Sequence, residues 1–271
     1  MSSSTQVRYD VAGGVATITL DGPSRRNAIG QDTAADLEEA LLRAGRDQAR
    51  VVVLAGAGGA FSAGGDLKSV PAVGVRVGNR SERLARAHRV LRELRGTKRI
   101  VVAAVEGPAV GIGWSLAMAC DLVVAAESAY FAAPFIDRGL VPDGGIAWLL
   151  ATTVGPKVAA ELLMQPQRIT AERAQQFGLV NKIVASGTAT AQATEWAREL
   201  ATGPADALLL TKAMLSGVHQ VGSYEAFLDL EWPIATLAMN GAEAAEGIAA
   251  FGEKRPPNFP ALHDAVVPLK E

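Results

Sequence analysis

The amino-acid sequence predicts an α/β fold organised around a largely parallel sheet. Three observations point there. First, Val51-Val-Val-Leu-Ala, Ile100-Val-Val-Ala-Ala-Val and Leu122-Val-Val-Ala-Ala are short, continuously apolar segments, the pattern of strands buried on both faces. Second, stretches of helical character, residues 81–95 and 113–119, fall between them, which is the strand–helix alternation of an α/β core. Third, the chain turns almost wholly helical after Gly203-Pro204, so an α/β core over residues 1–200 and a helical C-terminal region over 201–271 are expected.

Taken in order, Val7-Arg-Tyr-Asp-Val and Val15-Ala-Thr-Ile-Thr-Leu flank Gly13-Gly14 and read as a β-hairpin. Residues 32–49 place Leu37, Ala40, Leu41 and Ala44 on one helical stripe. Residues 68–80 hold Pro71, Gly74 and Gly78 without a periodic pattern and read as a surface loop, a common carrier of function. In the helix that follows, Leu84, Ala87, His88 and Leu91 share a face. His88 therefore points inward, either as a core histidine bonded to backbone or as one reaching a pocket. Further on, Gly139-Leu-Val-Pro-Asp-Gly-Gly-Ile reads as a turn entering a helix, with Asp143 carrying N-cap chemistry. Residues 158–163, 171–177 and 189–201 read as helical around an apolar segment at 179–184. Beyond them lie helices at 205–216 and 224–252, the second interrupted by Pro233, and a proline-rich tail.

Bulk properties exclude several classes. Of 271 residues 49% are apolar and 20% charged, an ordinary globular balance. The net charge of −2 supplies no field that gathers nucleic acid or an anionic membrane surface. Cys120 is the single cysteine, so no intrachain disulfide forms, which fits a reducing cytoplasm. It sits in an apolar run with no cation beside it and reads as an inert buried thiol. No signal peptide is expected from the N-terminal residues, and no uninterrupted apolar run of about 18 residues suggests a transmembrane helix. His88, His219 and His263 lie far apart without metal-ligand spacing. Arg80, Arg83, Arg86, Arg89, Arg92, Arg95, Lys98 and Arg99 form a basic run. A solvated helix face is the preferred reading over an anion contact, and no interleaved aromatics support nucleic-acid stacking.

Two turns share one form. Phe61-Ser-Ala-Gly-Gly-Asp-Leu follows the strand at 51–55, and Gly107-Pro-Ala-Val-Gly-Ile-Gly-Trp follows that at 100–105. Glycines let backbone N–H groups approach a ligand closely, and a helix start adds open donors. Two such turns from neighbouring strands are able to converge on one oxygen as an oxyanion hole. Neither matches a phosphate loop or the dinucleotide fingerprint.

Together these segments resemble the crotonase superfamily, the enoyl-CoA hydratase/isomerase family. The resemblance runs from Arg26-Asn-Ala-Ile through both glycine turns, Cys120-Asp-Leu, Gly139-Leu-Val-Pro-Asp-Gly-Gly and Gly178-Leu-Val-Asn to Phe251-Gly-Glu-Lys-Arg-Pro-Pro-Asn-Phe. It implies a spiral of ββα units, a C-terminal helical trimerisation region, a homotrimer or dimer of trimers, and an acyl-CoA thioester as substrate, with coenzyme A part of that substrate and no tightly bound cofactor. It places the two N–H groups that hold the thioester oxygen on Gly65 and Ile112. It assigns CoA contacts to Ala63, Gly65, Asp66, Leu67 and Lys68, with Arg26 (and Arg25) nearby and Phe251 and Lys254 supplied by a neighbouring subunit.

The departures from the family pattern bear on chemistry. Where hydratases carry two glutamates, this chain has Ser115 and Phe135. Hydration needs one group for water and one for the C2 proton, so efficient hydration is not expected. The family's isomerases instead carry an acid in the segment that here gives Asp143. The favoured activity is enoyl-CoA double-bond isomerisation, or the related ring-opening isomerisation of an aromatic-acid CoA epoxide, with Asp143 as acid/base. Two alternatives stay open. One is an acyl- or aroyl-CoA hydrolase or dehalogenase with Asp143 as nucleophile and His88 as water-activating base. The other is a non-catalytic acyl-CoA-binding homologue.

Overall fold

A computed structural model describes residues 4–67, 77–165, 167–218 and 220–264. Contacts divide the chain into two compact units, residues 1–197 and 198–271.

In the first unit, β1 (Gln6–Ala12) and β2 (Val15–Asp21) form the expected hairpin, pairing Val7 with Leu20 and Tyr9 with Ile18. Gly13 and Gly14 both take positive φ at its tip, which glycine does without a Cβ penalty. β2 then pairs in parallel with β3 (Val51–Gly56), β3 with β4 (Ile100–Val105), β4 with β6 (Leu122–Ala126), and β6 with β9 (Lys182–Val184). The six-stranded sheet is thus ordered β1-β2-β3-β4-β6-β9. β3 and β4 are buried almost throughout, as their unbroken apolar sequence requires.

A second, three-stranded sheet of β5 (Pro108–Val110), β7 (Tyr130–Ala132) and β8 (Ile169–Thr170) was not expected from the sequence. Segments of two or three residues are too short to show a period. α1 (Gln31–Arg46) buries Leu37, Ala40, Leu41 and Ala44 as its stripe predicts. α2 (Val77–Gly96) starts before residue 81, so the loop read at 68–80 ends sooner. Gly78 alone is too weak a breaker, costing about 1 kcal/mol. Residues 68–76 of that loop lie outside the described residues.

α3 (Ile112–Ala119) is buried on nearly every side. Cys120 caps it, buried, its thiol donating to the Leu116 carbonyl. α4 (Ile146–Met164) is longer than the segment read at 158–163. It is long and apolar enough to cross a membrane by length and composition alone. Here, however, Ile146, Leu150, Ala159, Leu162 and Leu163 belong to the protein core. Gly155 (φ 79°, ψ 160°) breaks the helix and Pro156 restarts it, proline being well suited to a first helical position. α5 (Ala171–Gln176) and α6 (Ala189–Ala201) follow. The buried Glu106 accepts the Ala189 N–H at 2.9 Å and ties the α6 start to the end of β4.

The second unit contains α7 (Ala205–Gly217), α8 (Tyr224–Met239), α9 (Ala242–Glu253) and α10 (Phe259–Asp264). The expected break at Pro233 is not there: Pro233 lies inside α8, and the chain breaks at Asn240-Gly241 instead. A proline removes one helical hydrogen bond, whereas Asn240 turns its own amide onto the Thr236 carbonyl (2.8 Å) and closes the helix. The buried Glu243 carboxylate accepts the Asp206 and Ala207 N–H groups, each at 3.0 Å, capping α7 from α9.

Candidate active site

The two glycine turns are bonded to each other. Phe61 N–H donates to the Glu106 carbonyl, Ser62 N–H to Pro108 (2.9 Å) and Val110 N–H to Ser62 (2.9 Å), and Ser62 and Ala109 form a parallel bridge. Because β3 and β4 are neighbours in the sheet, the turns leaving them emerge side by side.

Each turn then opens one N–H. In the first, Ile29 N–H donates to Gly64 (2.8 Å) and Asp66 N–H to Ile29 (2.9 Å), a parallel bridge centred on Gly65. In such a bridge the central residue's own N–H faces away from the partner, and among the described residues no backbone acceptor takes it. In the second turn, Gly111 adopts φ 54°, ψ −121°, a conformation effectively reserved for glycine. It aims the start of α3 inward, so the Ile112 N–H is one of the donors a helix leaves open, at its positive end. Gly65 and Ile112 line the same cavity of ≈1120 Å³, ample room for a small-molecule ligand.

Asn27 knots the first turn. Fully buried and left-handed (φ 57°), it accepts the Gly22 N–H (2.8 Å) and donates to the Ala57 (2.9 Å) and Ala60 (2.7 Å) carbonyls. Its carbonyl holds the Ser62 hydroxyl (2.8 Å), which takes the Gly64 N–H (3.1 Å). The motif containing Asn27 was visible in the sequence, but this bracing role was not.

The opposite wall comes from the segment before α4. Asp143 does not cap that helix. The N-cap residue is Gly145, without a side-chain cap bond, and only the Asp143 carbonyl meets the Ile146 N–H, at 3.4 Å. Asp143 lines the cavity and is exposed. The surrounding protein raises its pKa above the ordinary 3.8 through burial, against the opposing pull of His88 and Arg83. Gly144 (φ 64°) presses this segment onto the start of α3. A Cβ there would collide with the Ile112 side chain and lie 2.8 Å from the Ser115 hydroxyl, so Asp143 is held beside Ile112.

Ser115 is buried beneath Gly144, its hydroxyl directed to the Gly111 carbonyl at 3.4 Å. Phe135 lines the cavity over Gly111, its ring tip 3.7 Å from where a Gly111 Cβ would stand. Neither position therefore offers an acid.

The remaining residues singled out in the sequence separate. Ala63, Asp66 and Leu67 line the cavity with Arg25, and Arg25 pairs with the buried Asp66 carboxylate. Arg26, left-handed at φ 49°, turns the other way and lines a smaller hollow with Pro23, Tyr130 and Arg168. Lys68 lies outside the described residues. His88 is half-buried on α2, close enough to Asp143 to act on its charge. Its neighbours Leu84 and Ala87 line the cavity, so this helix face borders a pocket as well as the core. Phe251 (87% exposed) and Lys254, the left-handed cap of α9, belong to the second unit. The bidentate Arg255–Glu246 pair (2.7 and 3.0 Å) braces the backbone next to Lys254.

The basic run is more than a solvated face. Arg86 donates to the Gln31 carbonyl (3.4 Å) and Arg89 to Glu38 (3.3 Å), fastening α2 to α1. Arg83 is half-buried in the cavity wall and donates to the Asp66 (2.9 Å) and Ile29 (3.2 Å) carbonyls. Spacing alone did not distinguish it from the other arginines.

The chain belongs to the enoyl-CoA hydratase/isomerase family of the crotonase superfamily, whose family model, described as Enoyl-CoA hydratase/isomerase, matches residues 10–261. It is an acyl-CoA enzyme of that family with the crotonase fold. It is 36% identical over 255 residues to the 1,2-epoxyphenylacetyl-CoA isomerase of Escherichia coli (strain K12), covering 91% of this chain and 95% of that protein. It is equally 36% identical, over 93% of this chain and 97% of the other, to a "Probable enoyl-CoA hydratase" of Rhodobacter capsulatus. The crystal structure of an enoyl-CoA hydratase from Polaromonas sp. JS666 superimposes with a TM-score of 0.86 at 34% identity, over 93% of this chain and 98% of that one.

Proposed function

We propose that the protein is an isomerase that moves the double bond of a 3-enoyl-CoA to C2, with Asp143 as the single acid/base. The observation that carries this reading is the position of Asp143. It is an uncapped carboxylate on the cavity wall, packed through Gly144 against the residue whose N–H opens into the cavity, while Ser115 and Phe135 fill the places of the hydratase glutamates. Asp143 takes a proton from C2. The electrons move into the thioester, whose oxygen becomes an enolate held by the Gly65 and Ile112 N–H groups. Asp143 then returns the proton at C4 as the double bond settles between C2 and C3. One carboxylate that faces both carbons suffices, and no water is activated.

Coenzyme A enters as part of the substrate, alongside Ala63, Asp66, Leu67 and Arg25 at the cavity mouth. The large exposed apolar side chains of the C-terminal unit, Trp232 (77%), Ile248 (72%) and Phe251 (87%) among them, support assembly into a homotrimer or dimer of trimers in which Phe251 and Lys254 reach a neighbour's CoA. The 36% identity to an isomerase of an epoxide thioester supports ring-opening isomerisation as a variant of the same chemistry. A second reading rests on His88: its charge acts on Asp143, which suits a hydrolytic path with Asp143 as nucleophile.

The test is a set of CoA thioesters assayed together for isomerisation, hydration and hydrolysis. Isomerisation of 3-enoyl-CoA, abolished in Asp143→Asn with CoA binding intact, is the expected result. Solvent ¹⁸O passing through Asp143 into a free acid, with a severe His88→Ala defect, decides for hydrolysis. Tight binding with no turnover of any thioester marks a binding protein.

A further inference from the structure

We propose that Arg83 is the positioning residue of the oxyanion hole. Its guanidinium grips the carbonyl of Asp66, the residue after Gly65, and that of Ile29, which pairs with Gly65 across the bridge, and so fixes where the Gly65 N–H points.

The geometry is a fork. Nη1 donates to the Asp66 carbonyl at 2.9 Å and Nη2 to the Ile29 carbonyl at 3.2 Å. Ile29 and Asp66 are the residues whose backbone forms the bridge around Gly65, through Ile29 N–H to Gly64 (2.8 Å) and Asp66 N–H to Ile29 (2.9 Å). Among the described residues the bridge is an isolated one; the Ala63 N–H to Arg26 carbonyl bond (2.8 Å) and the Ser62 hydroxyl brace it on the Gly64 side, and Arg83 holds it on the Asp66 side. The Ile112 donor needs no such help, because its direction is set by a buried helix. A half-buried arginine that links Asp66 to Ile29 adds the constraint on that second side, and its rigid planar fork suits two acceptors where a lysine's single nitrogen does not. The contact is close: a Cβ on Gly65 would lie 3.2 Å from Nη2.

The inference rests on the reading of Gly65 and Ile112 as the oxyanion hole, but not on which reaction follows. The probe is therefore a saturated acyl-CoA labelled with ¹³C at C1, which binds without turning over, and the readout is its thioester carbonyl stretch by isotope-edited infrared spectroscopy. In the unaltered protein the bound carbonyl shifts to lower wavenumber than in free ligand. Arg83→Lys and Arg83→Met both bind the probe within a few-fold of normal but lose most of that shift. With an active thioester both lose kcat by about 10- to 100-fold, less than deleting a donor outright, at little-changed KM. Gly65→Ala, which keeps the N–H and crowds the guanidinium, produces a similar loss, and combining it with Arg83→Lys adds little, as expected for two changes to one contact. A full carbonyl shift in Arg83→Lys overturns the proposal, because charge alone would then suffice. Additive losses in the double variant overturn it as well. A normal shift in the unaltered protein without isomerisation sinks the isomerase reading and leaves the positioning role standing; no shift at all removes the hole itself.

Discussion

The two walls of the cavity are made by opposite means. One is the pair of glycine turns, bonded to each other and braced by the buried Asn27, offering only backbone donors. The other is the segment from Gly139 to Gly145, largely exposed, which offers one ionisable side chain, Asp143, beside the apolar Leu140. The difference follows from what each wall would do in the proposed isomerisation. A donor that stabilises a developing oxyanion works through preorganisation, so its direction must be fixed before the substrate arrives. An acid that takes a proton at one carbon and returns it at another works through its pKa and its reach, so it needs a tuned surrounding and access to the cavity. The walls meet at one point, where Gly144 packs on Ile112 and Ser115.

The sharpest way to separate the walls is to silence one of them. Asp143→Asn preserves shape and removes only the proton shuttle proposed for it. Isomerase kcat is expected to fall about 10²- to 10⁴-fold, the usual contribution of a general acid/base, while the acyl-CoA carbonyl shift produced by the turns persists. Loss of the shift along with the rate would show that the walls are not independent.

Breaking the junction comes next in size. Gly144→Ala adds a Cβ at φ 64° directly against the Ile112 and Ser115 side chains. Strain and crowding together cost roughly 2–4 kcal/mol of stability. Displacing Asp143 relative to the reacting carbons lowers kcat by up to about 10²-fold. Denaturant titration and steady-state kinetics read the two effects, and an unchanged midpoint would contradict the packing described.

The walls also differed in how much of them the sequence displayed. The strands beneath the turns were legible because residues 51–55 and 100–105 are apolar without interruption, and the turns because their glycines follow those strands directly. Asp143 was legible as an acid between Pro142 and Gly144, but its choice between capping and catalysis was not. That depended on Gly145 taking the cap position with no side-chain bond. Arg83 was hidden among arginines at three-residue spacing, and its partners lie 17 and 54 residues away along the chain. The second sheet was invisible because β8 has two residues and β5 and β7 have three. α4 was under-read because its long apolar stretch shows no polar face to set a helical period.

The acid wall also predicts a pH dependence. In the proposed isomerisation the base must be ionised to take the C2 proton, and burial holds Asp143 above its ordinary 3.8. The acidic limb of kcat/KM is therefore expected to fall above that value, with activity dropping about tenfold per pH unit below it. Removing either opposing charge, by His88→Gln or Arg83→Met, should move the limb further up, since both lower the Asp143 pKa. A limb at or below 3.8 would show that the carboxylate is freely hydrated.

The smallest effect concerns stability and carries the opposite sign to the largest. A carboxyl whose folded pKa is raised favours the folded state when protonated. That contribution is complete below about pH 3.8 and is lost as pH rises through the folded value. At neutral pH the ionised Asp143 is therefore a net burden on the fold, even with His88 and Arg83 beside it. Asp143→Asn removes the charge without changing the shape, so the variant that loses the most activity should melt slightly higher than the unaltered protein at pH 7. The gap should begin to close as pH falls through the folded pKa and be gone below about pH 3.8, where Asp143 is neutral in both folded and unfolded protein. Thermal melts at matched pH values test this directly. A variant that melts lower at pH 7 would mean that Asp143 holds the wall in place through its charge, as the glycine turns do through their backbone, and the contrast between the two walls would not stand.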